Sequence, residues 1–201
     1  MGELSYQRTV IAYHGCDEAV VTGVLLHGQR VRASANDYDW LGRGIYFWEH
    51  GPRRALEWAQ WRARVFKNIR KPAVLGAFIN LGNCFDLLDT NYTRLLTEMF
   101  PLYRQACQGG GVAVPQNLPA RDEASGDLVL RYLDCAVVNW CLDFLEKEER
   151  QYFHTVRCVF SEGTPAYEGS KFMAKSHIQI AVRDVSAVIG YFKPNVDNLA
   201  E

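Results

Sequence analysis

No stretch of the chain reaches the ~18 uninterrupted apolar residues of a membrane span, so no transmembrane helix is expected. The first residues carry no basic segment followed by an apolar run, so a secretory signal is not expected either. Gly2 follows Met1, but Tyr6 stands where a myristoylation signal wants Ser or Thr. A charge excess is missing too. Lys and Arg number 22 against 23 Asp and Glu, which argues against a broad electrostatic footprint for nucleic acid or anionic lipid. The six cysteines, at 16, 84, 107, 135, 141 and 158, include no pair with the two-residue spacing of a zinc knuckle or redox motif. Free, buried thiols in a reducing, cytoplasmic setting are therefore expected, with no metal. A Walker phosphate loop, a Gly-x-Gly-x-x-Gly, a Gly-x-Ser-x-Gly elbow and a His-x-x-x-His pair are all lacking. Gly109-Gly110-Gly111 lies in a polar stretch with no strand before it, a poor phosphate cradle.

What remains is an ordinary globular composition. With 201 residues and 48% hydrophobic content, the chain can build one core, and a single domain over 1–201 is expected. Thr9 to Tyr13 is a short β-branched run ending at His14-Gly15, a buried strand. Asp17 can cap a helix that stops at Gly28. Ser34 to Trp40 is a polar, turn-rich loop, and Leu41 to Trp48 a strand whose glycines allow close approach. Pro52 opens a helix at a position where its missing donor does no harm. The Arg and Lys residues at 53, 54, 62, 64, 67, 70 and 71 are expected to form a solvated face. Pro72 ends that helix, one or two strands broken near Gly82 follow, then a helix at roughly 91 to 106. Gln108 to Asp127 is expected to be a mobile loop, and Leu128 to Glu149 a helix with a heptad-like apolar stripe. Three strands separated by turns close the chain. Strands on either side of a helical middle indicate an α+β fold rather than a parallel doubly wound one.

Three segments could carry chemistry: Tyr13-His14-Gly15, the run Asp39-Trp40-Leu-Gly-Arg-Gly44-Ile-Tyr46-Phe47, and the late strand Ser176-His177-Ile178-Gln179-Ile180. Singly, each has an ordinary explanation: a turn histidine, tight strand packing, a hydrogen-bonded structural amide. Their order along the chain resembles the ADP-ribosyltransferase superfamily, in the branch shared by diphtheria toxin and poly(ADP-ribose) polymerases. That branch carries a His, a Tyr and a Glu on three successive strand motifs. Here YHG matches the first, GIYF matches the second, and the third departs from the pattern, with His-Ile-Gln where the Glu is usual.

The resemblance implies a split β-sandwich of two small, mainly antiparallel sheets forming a cleft, with flanking helices. It implies NAD as substrate and transfer of ADP-ribose, with release of nicotinamide, to a macromolecular acceptor (protein or nucleic acid). The residues implied around NAD are His14, Gly15, Ser34, Gly44, Tyr46 and Trp58, with His14, Tyr46 and Gln179 as the catalytic set. Gly15 would let backbone amide groups meet the nicotinamide carboxamide, and His14 would donate to a ribose hydroxyl. Tyr46 would stack on the nicotinamide, worth about 1 kcal/mol beyond burial, and Trp58, next to Glu57, would complete the sandwich.

Alternation puts His177 and Gln179 on the side of the strand opposite Ile178 and Ile180, so Gln179 is expected to face outward into the cleft. A glutamine can hydrogen-bond a ribose hydroxyl but cannot take a proton, which favours a single slow transfer over polymer growth. Glu162 and Glu168 are the nearest carboxylates that could help, and are expected to be solvated loop residues. Asp134 interrupts the apolar stripe and is expected to be braced by an Arg or a hydrogen bond. An NAD glycohydrolase, a non-catalytic NAD-binding or interaction module, and an unrelated α+β binding domain are the alternatives.

Overall fold

The computed structural model describes residues 6–119 and 127–195. Within them the fold is mixed α+β: seven strands in one sheet, mostly antiparallel, and four α-helices. In chain order these are β1 (Tyr6–Asp17), α1 (Glu18–His27), β2 (Ile45–Glu49), α2 (Pro52–Val65), β3 (Pro72–Gly82) and β4 (Cys84–Asp86). They are followed by α3 (Thr90–Gly109), α4 (Tyr132–Glu148), β5 (Thr155–Phe160), β6 (His177–Val182) and β7 (Val188–Phe192). The strand order is β4-β5-β6-β2-β1-β3-β7, with β4 and β5 parallel. Hydrogen bonding joins all of them into one sheet, where two were expected. No helix among the described residues is long and apolar enough to cross a membrane.

Local signals set most boundaries. The Asp17 carboxylate accepts the Ala19 N–H at 2.9 Å, capping α1, and also the amides of Arg70 (2.6 Å) and Lys71 (3.1 Å) at the start of β3. Gly28, at φ 60°, ends α1 in the left-handed conformation that costs glycine least. β1 is longer than the apolar run Thr9 to Tyr13 because β3 pairs with it at ten positions and satisfies its polar ends. α4 begins at Tyr132 rather than Leu128, since Leu130 bridges back to Leu118. Of the expected loop at 108–127, residues 108 and 109 finish α3, and 120–126 lie outside the described residues.

One face of the sheet, with Ala12, Phe47, Leu75 and Ile180, packs on Val21 and Val24 of α1. On the other face, Ala55 of α2 covers Trp48 and Val74, and Val138, Cys141 and Leu142 of α4 cover Phe85, Val156 and Phe160. Charge is also buried within the sheet. Arg157 reaches Glu49 at 2.5 Å and Asp86 at 2.9 Å, and Arg8 meets Glu49 at 3.3 Å.

Candidate functional site

The sheet is unevenly knitted. β2 pairs with β6 at five positions, but β1 and β2 share only two, Ala12 with Glu49 and Tyr13 with Trp48. In an antiparallel ladder the bonding direction alternates residue by residue. The bond from Glu18 N–H to Lys71 O (2.9 Å) fixes the phase: Cys16 and His14 bond to β3, whereas Tyr13 and Gly15 turn N–H and C=O toward β2. From the other strand, His50 N–H donates to Ile11 O at 3.0 Å, in the same phase. The next pair in that series would be Gly15 with Tyr46, and there the ladder stops. Tyr46 O is instead met by Nδ1 of His14, at 2.8 Å. A side chain thus takes the carbonyl that the Gly15 amide would have used. Both backbone groups of Gly15 are left without a ladder partner on the β2 side.

The same contact fixes the chemistry of His14. A carbonyl oxygen only accepts, so Nδ1 carries the proton and donates. Burial holds the imidazole below its ordinary pKa, outweighing the raising effect of that bond, so the neutral ring prevails at pH 7. Its Nε2 is then a lone-pair acceptor. The expectation that His14 donates to a ribose hydroxyl is corrected accordingly: it would accept from one.

Around this parting lie several expected site residues. Tyr46 is half-buried, and its hydroxyl is committed, donating to Gly42 O (2.7 Å) and accepting from Leu41 N–H (2.8 Å). Burial lifts its phenol well above the ordinary range, so it stays protonated. Trp58, on α2, sits beside Gly15 and tilts against Trp48 at 5.6 Å, while Glu57 is exposed and pairs with Arg54 at 3.9 Å. Ser34 and Gly44 bridge one another at the start of β2, and a Cβ on Gly44 would press on Val182 O at 3.0 Å. Gly44 therefore serves close strand approach.

Gln179 lies one strand further, opposite Trp48. Alternation holds, with Ile180 in the core on the other face. The outward exposure does not. Gln179 is only 7% accessible, because its own face is covered too: the ring of Trp48 tops the neighbouring strand, and Trp40, Trp48 and Phe160 surround His177. Glu162 is likewise not a solvated loop residue. Both its oxygens accept from Arg54 Nη2, at 2.8 and 2.7 Å, and its side chain is 12% accessible. Arg54 therefore leaves the solvated basic face predicted for it, as does Arg62, whose guanidinium lies over Trp58 and Phe66. Glu168 is exposed. Asp134 pairs with Arg131 at 3.2 Å, the bracing role expected of it.

Sequence reasoning missed the cation-aromatic wall next to Gln179. Arg131 lies over the rings of Trp40 (4.3 Å) and Phe160 (5.0 Å), and these three line a hollow of about 440 Å³ with Cys158, the strand partner of Gln179. Arg131 falls inside the helix expected from Leu128, where a basic residue carries no signal beyond that of a helix surface. All six cysteines are free and five are buried. Burial pushes the thiols of Cys16 and Cys84 up to about 12, and of Cys158 up to about 11, so none of these three is poised as a nucleophile.

Comparison of the chain with protein-family models, curated proteins and solved structures finds no match.

Proposed function

We propose that this protein binds NAD at the β1–β2 parting and transfers its ADP-ribose, with release of nicotinamide, to a macromolecular acceptor. The observation that carries the proposal is the displaced ladder bond. A primary carboxamide offers one acceptor oxygen and one donor nitrogen, and Gly15 turns one N–H and one C=O, both without strand partners, to the same side. His14 Nε2 supplies an acceptor for a sugar hydroxyl from the α1 face of the sheet, and the ring of Trp58 supplies a flat face beside Gly15 on the α2 face. Within the single sheet, the two-pair junction joins β4-β5-β6-β2 to β1-β3-β7 only weakly, which supports the likeness to the family the motifs resemble. The sites are built from backbone and rigid rings, so they are organised before ligand arrives, as stabilisation of a cation-like sugar requires. Incubation with labelled NAD and cell lysate tests the proposal. Label is expected in a protein or nucleic-acid fraction and is expected to vanish in a His14→Ala, Tyr46→Ala double variant; label of equal strength in both would overturn it.

One observation favours a second reading, an NAD-binding module with little or no turnover. Gln179 offers no carboxylate, and that of Glu162, beside His177, is neutralised by Arg54. Gln179→Glu separates the two. A module gains nicotinamide release from the new carboxylate, whereas an enzyme built around the amide gains little.

A further inference from the structure

His177 begins β6 with both ring nitrogens engaged. Nδ1 lies 2.6 Å from Lys175 O, and Nε2 lies 3.0 Å from Nε2 of Gln179. The carbonyl only accepts, so Nδ1 must carry the proton, and in the neutral ring Nε2 is a lone pair. Only the NH₂ end of the Gln179 amide can face that lone pair. The orientation of the amide, ordinarily ambiguous, is thereby dictated by chemistry. The carbonyl end, Oε1, points elsewhere. Among the described residues it has no hydrogen-bond partner, yet it is not among the side-chain atoms shut off from solvent.

We propose that His177 is a positioning residue: it fixes the Gln179 amide so that Oε1, the end able to accept, is presented to a ribose hydroxyl of bound NAD. This rests on the NAD reading above. The amide then does half of what a carboxylate does there, accepting a hydrogen bond without taking a proton. A freely rotating amide would present its donor end part of the time, to no purpose opposite a hydroxyl whose proton needs an acceptor.

The surroundings keep His177 in the required state. Trp40 stacks on it at 6.1 Å, and Trp48 and Phe160 tilt against it at 6.3 and 5.8 Å, so the ring has no room to turn. The charged groups facing it are Glu162 from the β5–β6 connection, Arg54 from α2 and Arg131 ahead of α4. Glu162, whose Oε2 is 3.7 Å from Nδ1, would favour an imidazolium, but Arg54 holds that carboxylate and opposes it. Burial is the largest influence and lowers the imidazole pKa, with Arg54 and Arg131 adding to it, and the neutral ring results. Arg54 thus acts at a distance, both by holding Glu162 and by opposing the protonation that would reverse the amide.

The test has two arms on the intact chain. Nitrogen-labelled protein reports the His177 tautomer, and the N–H···N bond to Gln179 gives a scalar coupling between the two nitrogens. Proton on Nδ1 together with that coupling is the expected result; a proton on Nε2 at pH 7 overturns the proposal even where NAD binds. The second arm measures NAD affinity. His177→Phe, which keeps a ring but no acceptor, is expected to lose about tenfold, the equivalent of one hydrogen bond. In the Gln179→Glu background, whose two oxygens are equivalent, the same substitution is expected to cost little. Equal losses in both backgrounds overturn the positioning role while leaving NAD binding intact. Absence of NAD binding by the parent protein at millimolar concentration removes the underlying reading, and with it the ribose contact.

Discussion

Arg157 sits 4% exposed between two carboxylates, Glu49 and Asp86, that are themselves nearly buried. A guanidinium in that position is worth little as a net gain, yet its loss leaves Asp86 without a cation inside the sheet and Glu49 with only the half-exposed Arg8. Arg157→Met is therefore expected to cost about 3–5 kcal/mol in urea unfolding; a loss under 1 kcal/mol would mean that water reaches the pair. The two site histidines make a second prediction at this scale. His14 and His177 are both held below the ordinary imidazole pKa of about 6.5. As pH falls through about 6.5, the unfolded chain takes up protons that the folded chain refuses, so stability is full above that value and declines below it. Urea midpoints at pH 7.5 and pH 5 read this decline. A His14→Gln, His177→Phe double variant should show a flatter profile, and an unchanged profile would mean that neither ring is neutral in the fold.

Among the elements, α2 matters most to the parting, because it packs so closely on β1. A Cβ on Gly15 would run into the carbonyl of Ala55 and press on Trp58. Gly15→Ala is expected to push α2 outward and to destabilise by about 1–3 kcal/mol, the usual range for overpacking; an unchanged denaturation midpoint would place the helix further from the sheet. Element boundaries such as these were legible where a local signal wrote them: Asp17 before α1, Gly28 after it, Pro52 at the head of α2. The β-branched and aromatic runs of β5, β6 and β7 were equally plain. Non-local facts were not. Alternation tells which residues share a face, but not that aromatic rings cover the face carrying Gln179. Nor does any spacing reveal that Arg54 will reach Glu162 across 108 positions, or that Arg157 and Glu49, a charge in each of two apolar strands, answer one another. An unpaired charge inside an apolar run was the available clue to that last pair.

Across the whole molecule, one sheet serves two functions. Its two halves, each densely paired, form a rigid frame, and they are joined at Ala12–Glu49 and Tyr13–Trp48. Just beyond that junction the imidazole of His14 stands in for a ladder bond and frees the backbone of Gly15. The motifs YHG and GIYF lie on the two sides of this place, but the pairing geometry between them could not be read in advance.

The freed amide of Gly15 is the most direct thing to watch. In isotope-labelled protein titrated with NAD, and separately with nicotinamide, the Gly15 N–H resonance is expected to shift saturably and to gain protection from exchange. A Gly15 amide unmoved at millimolar NAD would contradict the account.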